Sequence, residues 1–270
     1  MNITDLLAIA SLMHEVGQRI VMPRFGGLLA GEVRAKSAVD DLVTVADIEA
    51  EAALNDGLQK LFPGCGVIGE ESVTSDFDYA ADDILFVIDP VDGTWPFAHG
   101  LPVFGIMISV LARGRAIGGL IHYPVTQETL LVLRQGGVHK LRQGSAPTQL
   151  PMLKQDTSVI TGMIPLSLFD KAIRVEMMRA FGELPRVVTV QCSAYEYRML
   201  AEGQADFGIS TALKPWDHHT GQLMLCELGG YSATAKGDQW PNVQPHDRLI
   251  SARNFATWQA VVAMLDGCQL

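Results

Sequence analysis

The sequence predicts a mixed α and β protein, with an α+β first half and an α/β second half. Three observations point that way. Apolar residues near the start recur at helical spacing, the middle of the chain reads as strands broken by Gly and Pro, and the last third alternates between strand-like and helix-like segments.

Leu6, Ile9, Met13, Val16 and Ile20 define an amphipathic first helix that Pro23 should end. A loop follows, holding Gly26, Gly27, Gly31 and Lys36. "DDLVTVADIEAEAALNDGLQKLF" contains a second helix that starts near Thr44 and stops before Pro63 and Gly64. "GVIGEES" reads as a short strand opening into a loop, and "ILFVID" as a strand buried on both faces, because its apolar run is continuous. From Val103 onward, "VFGIMISVLARG", "RAIGGLIHYP", "ETLLVLRQGG" and "VHKLRQG" form a meander separated by turn signals. The polar, Pro-containing stretch 144–157 divides residues 1–143 from residues 144–270, two halves packed as one globular unit. Beyond it come strand "SVITG", helix "SLFDKAIRVEMMRAFG", strand "RVVTV" and helix "SAYEYRMLAEG". Strand "ADFGIS", helix "PWDHHTGQLMLCELGG", strand "RLISA" and helix "FATWQAVVAMLDG" complete the chain.

With 270 residues, 48% of them hydrophobic and 19% charged, the chain is long and apolar enough for a substantial core. A net charge of −10 argues against a nucleic-acid polymer or an anionic membrane as partner. It leaves room for a small anionic substrate, since a bound metal ion inverts the local field. Cys65, Cys192, Cys226 and Cys268 have no zinc-site spacing and read as reduced thiols of a cytoplasmic protein. Asp5, His14 and Glu15 interrupt the N-terminal apolar residues, so that segment is not read as a signal peptide, and no apolar run is long enough to span a membrane.

The chemistry concentrates in a few stretches. In "ILFVIDPVDGT", Asp89 and Asp92 close a buried strand, where two carboxylates repel and each resists ionisation. Oxygen ligands so placed suit divalent cations, although Asp, Pro and Gly are also ordinary turn residues. Five fixed residues in the DPxDGT pattern arise by chance in such a chain with a probability on the order of 10⁻⁴. Glu70 and Glu71 follow another apolar strand, and in extended backbone only one of the two aims into a shared site. Asp217 falls in the first turn of a helix opened by Pro215, where an acid is favoured by the helix dipole in any case, and Trp216 reads as core. Asp47, three residues after Thr44, fits a capping box; its functional reading is to accept a hydrogen bond from a threonine that orients a water. Lys36 reads as a solvated loop charge or a substrate contact. His218 and His219 diverge by about 100° on a helix and read as exposed or interface residues. No GxSxG elbow, GxxxxGK[ST] phosphate loop, HExxH helix or GxGxxG fingerprint is present.

Together, "KSAVDDLVTVAD", "GEES", "DPVDGT" and "KPWDHHTG…ELGG" resemble the inositol monophosphatase family of magnesium-dependent, lithium-sensitive phosphatases, in order and separation. The resemblance implies an α-β-α-β-α layered sandwich of the sugar-phosphatase type, usually a homodimer, with two or three Mg²⁺ ions. It assigns Glu70, Asp89 and the Val91 carbonyl to one ion, and Asp89, Asp92 and Asp217 to a second. Gly93 and Thr94 would hold phosphate oxygens, while Asp47, Glu70 and Thr94 act as the catalytic set. The implied reaction is hydrolysis of a small phosphorylated alcohol, inositol monophosphate-like, by a metal-activated water. Several positions depart from the family pattern. Pro96 stands where Asn is usual, and His218, His219 and Thr220 replace small residues. Ser210 replaces an acid that receives inositol, and Gln191 to Ala194, "QCSA", replaces a Gly-Ser/Thr-Ala stretch. Lys36, Gln191, Ser193 and Ser210 are therefore the substrate-side candidates, and histidinol phosphate, 3′-phosphoadenosine phosphate and fructose bisphosphate are alternative substrates. A non-catalytic metal- or ligand-binding relative is the alternative of another class.

Overall fold

The computed structural model describes residues 1–29, 31–36, 42–74, 78–156, 159–240 and 247–265. Residues 37–41 of the "KSAVDDLVTVAD" stretch, Ser158 of "SVITG" and Cys268 lie outside the described residues.

Helix α1 (Ile3–Val16) begins with a capping box: the Asn2 side chain accepts from the N–H groups of Thr4 and Asp5, and the Asp5 carboxylate accepts from the Asn2 N–H. Pro23 does not end this helix. The α-helical geometry stops at Val16, and a π turn (Gly17–Val21) and a 3₁₀ turn (Met22–Arg24) carry the backbone on. Pro23 falls at the start of that last turn, where its missing N–H is not needed. A short ribbon of β1 (Val33–Ala35) and β2 (Leu42–Thr44), absent from the sequence reading, leads into α2 (Val45–Leu61). Thr44 caps α2, and the helix ends at Leu61, just ahead of Pro63 and Gly64.

The apolar run expected as a strand lies in β4 (Leu85–Asp92), which pairs parallel to β3 (Gly66–Gly69) and is buried along its length. The meander follows as β5 (Gly105–Ala112), β6 (Arg115–Tyr123), β7 (Glu128–Leu133) and β8 (Gly137–Arg142), all antiparallel, with β9 (Thr148–Gln149) closing a seven-stranded sheet. Between β4 and β5 lies the short helix α3 (Thr94–Ala98). The second sheet runs β11 (Arg186–Val188), β10 (Thr161–Met163), β12 (Phe207–Ser210), β14 (Leu249–Ala252) and β13 (Tyr231–Thr234). Its first three strands are parallel and its last two antiparallel. Strand β13 sits in "YSAT", a segment with no apolar run to announce it. The remaining helices are α4 (Lys171–Phe181), α5 (Ser193–Ala201), α6 (Pro215–Glu227) and α7 (Phe255–Met264).

Burial explains the layering. Leu6, Ile9, Met13, Leu54 and Leu58 of α1 and α2 pack on Phe86, Ile88, Ile106 and Leu120 on one face of the first sheet. Tyr197, Leu200, Leu223 and Met224 of α5 and α6 pack on Met107, Ile121 and Val132 of its other face. Met177, Phe181 and Val261 of α4 and α7 cover Phe207, Ile209 and Ile250 of the second sheet. Helices α5 and α6 are thus enclosed between sheets: Gln222 of α6 donates to the Tyr197 hydroxyl at 2.8 Å and to Ser251 of β14 at 3.0 Å. A Cβ at Gly221 would stand 2.1 Å from the Tyr197 ring, so only glycine lets α5 and α6 approach this closely. The result is an α-β-α-β-α sandwich.

Candidate active site

The two aspartates of "DPVDGT" share a site because of an irregularity in the ladder. Residues three apart on a regular strand face opposite sides. Here Asp89 pairs with Met107 and Asp92 with Gly105, so Pro90 and Val91 together oppose a single residue of β5. This bulge re-aims Asp92 toward Asp89, and Pro90, lacking an N–H, fits where a ladder bond is forfeited. The Val91 N–H donates to Asp89 Oδ1 at 3.0 Å, fixing the turn.

Asp217 arrives from the first turn of α6, one residue beyond Trp216, which is buried as expected. Oxygens of Asp89, Asp92 and Asp217 all lie within 4.8 Å of one another. Burial, then the charges of Glu70, Asp92 and Asp217, pushes the Asp89 carboxyl well above its usual range. Burial, then the charges of Asp92 and Glu70, does the same to Asp217. Asp92 rises only to about 6, because burial is partly offset by hydrogen bonds from the Cys192 thiol and the Ala194 and Ser193 N–H groups. Two buried carboxylates and a partly buried third at such distances carry a large mutual repulsion, which a divalent cation relieves. An all-oxygen donor set of this kind suits Mg²⁺, Ca²⁺ or Mn²⁺ rather than a soft metal, so the residues present fit the magnesium that the resemblance implies.

Gly93, at φ 85°, starts α3, and a Cβ there would lie 2.8 Å from the Val103 carbonyl oxygen. Only glycine satisfies both demands. The N–H of Thr94 belongs to the first turn of α3, where helical geometry supplies no acceptor. The Thr94 hydroxyl lies 3.3 Å from Asp47 Oδ1 and 3.1 Å from the Val91 carbonyl. Asp47 also closes the capping box: its Oδ2 accepts from the Thr44 N–H at 2.9 Å and the Thr44 hydroxyl at 2.5 Å. Capping and contact with Thr94 therefore coexist in one carboxylate. Burial pushes it up to about 6 in spite of the two Thr44 bonds.

Glu70 lines the same cavity, of about 220 Å³, as Asp92, Gly93, Thr94 and Asp217. Its Oε1 is 2.9 Å from Lys36 Nζ, which also meets Glu71 at 2.5 Å. Lys36 is an exposed loop charge, as one reading had it, and it is also ion-paired: burial opposes its ammonium, but Glu70 and Glu71 outweigh this and hold it above its usual range. Glu71 is pushed up to about 7 by burial, against the Lys36 hydrogen bond. Gln191, Ser193 and Ser210 all line the cavity. Gln191 adopts a left-handed backbone, φ 55°, and donates from Nε2 to Ser167 Oγ at 2.7 Å.

The reading of His218 and His219 as exposed is corrected: both are buried. Because this turn of α6 is packed between the sheets, two directions about 100° apart both end in the interior. His218 Nε2 donates to the Ala212 carbonyl at 3.0 Å while Nδ1 accepts from the Tyr197 hydroxyl at 2.9 Å, and burial lowers the ring to about 4. Pro96 is buried within α3. Neither departure displaces the three aspartates. The sequence reading missed Cys192, whose thiol donates to Asp92 Oδ2 at 2.9 Å, and Trp95 and Glu196, which line the cavity. No spacing marks them, since they reach the site only through the packing of α3 and α5.

Comparison with known proteins agrees with this geometry. The profile of the inositol monophosphatase family matches residues 3–265. The chain is 28% identical to the inositol-1-monophosphatase of Bacillus subtilis over 257 residues, covering 92% of each protein. It is 25% identical to the histidinol-phosphatase of Chlorobaculum parvum, covering 98% of each. Among solved structures, an IMPase/NADP phosphatase complexed with Mg²⁺ and phosphate superposes with a TM-score of 0.80 at 18% identity, covering 96% of this chain and 93% of that one. With its layered sandwich and its aspartate cluster, the chain belongs to the inositol monophosphatase family, whose members are phosphatases that hydrolyse phosphate monoesters.

Proposed function

We propose that this protein hydrolyses a small phosphorylated metabolite at the cavity where β3, β4, α3 and α6 meet. The observation that carries the reading is the convergence of Asp89, Asp92 and Asp217 beside the Gly93–Thr94 turn. Two or three Mg²⁺ ions would be held by these aspartates, Glu70 and the Val91 carbonyl. When bound, Mg²⁺ supplies charge neutralisation, polarisation of phosphoryl oxygens and acidification of water. The backbone N–H groups of Gly93 and Thr94 hold phosphoryl oxygens. Thr94 donates its hydroxyl proton to Asp47, which leaves its oxygen free to accept from the attacking water and orient it. Asp47, raised by burial, is placed to share that proton. Glu70 contacts the water from the opposite wall, with Lys36 balancing its charge. Gln191, Ser193 and Ser210 face the alcohol.

The protein is further proposed to be a cytoplasmic homodimer. Cys65, Cys192 and Cys226 are free thiols, which suits a reducing compartment, and among the described residues no helix is long and apolar enough to cross a membrane. Light scattering of the purified chain tests the dimer. The activity is tested by phosphate release from a panel of myo-inositol 1-phosphate, histidinol phosphate, fructose 1,6-bisphosphate and 3′-phosphoadenosine 5′-phosphate. Turnover with Mg²⁺ that stops with EDTA supports the reading; silence on every ester with Mg²⁺ present rejects it.

A further inference from the structure

Beside Asp92, Asp217 and the Gly93–Thr94 turn, the cavity is also lined by Trp95, Gln191, Ser210 and Glu196. Glu196 sits in the first turn of α5. Glu196 is partly buried and lines the cavity, and among the described residues its carboxyl takes part in no hydrogen bond or ion pair. An acid in a first turn is ordinary; a partly buried acid without a partner, opening onto this cavity, is not.

The surroundings narrow the ligand. Among the described residues no Lys or Arg lines this cavity, and Lys36 is committed to Glu70 and Glu71. A second phosphate or a carboxylate on the alcohol would meet Glu196 with nothing to neutralise either. A polyol is served sparingly: Ser210 offers a single hydroxyl, and one N–H of the Gln191 amide is engaged by Ser167. Trp95 adds an aromatic wall, its ring stacked on His99 at 4.1 Å, and such a surface favours a cation. Burial, with Asp92 nearby, raises Glu196 to about 8, as befits a carboxyl short of positive charge.

We infer that the leaving alcohol carries an ammonium group received by Glu196, so that the substrate is a phosphorylated amino alcohol rather than a polyol phosphate or a bisphosphate. This rests on the phosphomonoesterase reading above. Hydrolysis forms a P–O bond to water and breaks the P–O bond to the alcohol. One water proton passes to the departing oxygen, and the ammonium keeps its charge throughout as an anchor that orients the ester.

The test compares three esters of similar size with Mg²⁺ present: 3-aminopropyl phosphate, butyl phosphate and 3-carboxypropyl phosphate. The expected order of kcat/KM places the ammonium ester about tenfold or more above the neutral one, with the carboxylate ester lowest. In Glu196→Gln the ratio of ammonium to neutral ester falls toward one; in Glu196→Asp part of it survives. A binding measurement stands beside the kinetics: the calorimetric Kd of 3-aminopropylphosphonate against butylphosphonate shows the same preference in wild type and its loss in Glu196→Gln. A wild-type ratio of one or less, or a ratio untouched by Glu196→Gln, overturns the inference while leaving the phosphatase reading in place. A preference for the carboxylate ester would redirect attention to Arg248, which lines an adjoining cavity that shares Leu168, Thr211 and Ala212, and would likewise overturn the role of Glu196. Should Glu196→Gln fail to fold, the wild-type ratio and the phosphonate affinities still decide. Hydrolysis of no ester at all removes the phosphatase reading and this inference with it.

Discussion

Asp47 shows how one side chain can hold a helix and also face a proposed reaction site. One of its oxygens accepts from Thr44 and the other faces Thr94. Its two duties predict different outcomes for its neighbours. Thr94→Ala removes the hydroxyl proposed to aim the water but leaves the cap, so kcat should fall about a hundredfold or more while the melting temperature holds. Thr94→Ser should retain most of the rate. Thr44→Ala removes the cap of α2 and should cost about 1–2 kcal/mol in urea unfolding. Asp92 has a similar double life, since it accepts from Ser193, Ala194 and Cys192 while pointing at the other aspartates. Asp92→Asn is expected to abolish activity with the circular dichroism spectrum unchanged; wild-type turnover in that variant would contradict its assignment. These double roles are why capping and turn readings of "TVAD" and "DPVDGT" were sound as far as they went. Local sequence shows the cap, and only a fold shows what stands on the other side of the same carboxylate.

At the scale of elements, α5 is pinned at both ends. Its N-terminal amides hold Asp92, and Arg198 near its C-terminus pairs with Glu128 of β7, as do Lys140 and Arg142 of β8. Burial alone would raise Glu128, but the hydrogen bonds of Arg142 and Arg198 outweigh it and lower the carboxyl to about 2. A carboxyl whose folded value is depressed stabilises the fold above its unfolded value, and that contribution is lost as pH falls through the folded value. Glu128→Gln should therefore destabilise the protein by about 1–2 kcal/mol at pH 7. The difference should shrink between pH 4.5 and pH 2, followed by urea titration at each pH. Elements were legible from sequence where apolar periodicity was long, as in α1, α2 and the meander. Strand β13 and the ribbon of β1 and β2 were not, because three- and four-residue strands carry too little pattern and are set by the partner they pair with.

Over the whole molecule, the three aspartates come from two places that a cation would tie together: β4 of the first sheet, and α6 lying between the sheets. Mg²⁺ at a hundred times its Kd should stabilise the fold by about 2.7 kcal/mol, or roughly 5–10 °C for a chain of this size. Protons compete for the same carboxylates. Without the metal, Asp92 is protonated as pH falls through about 6, so the Mg²⁺-induced rise in melting temperature should be large at pH 8 and small at pH 5. Scanning calorimetry at the two pH values checks this; an equal rise at both would contradict the metal assignment. The amino-acid sequence alone determined the order of the main elements and the aspartate motif, since these reside in short-range patterns and in residue types with little freedom of use, and its resemblance to a known family implied the reaction class. The tertiary structure alone decided that His218 and His219 are interior, that Lys36 answers Glu70 and Glu71, and that Glu196 lines the same cavity as Asp92 and Asp217. Each of those facts depends on contacts between segments distant along the chain, and no local pattern encodes which side chains such packing will bring together.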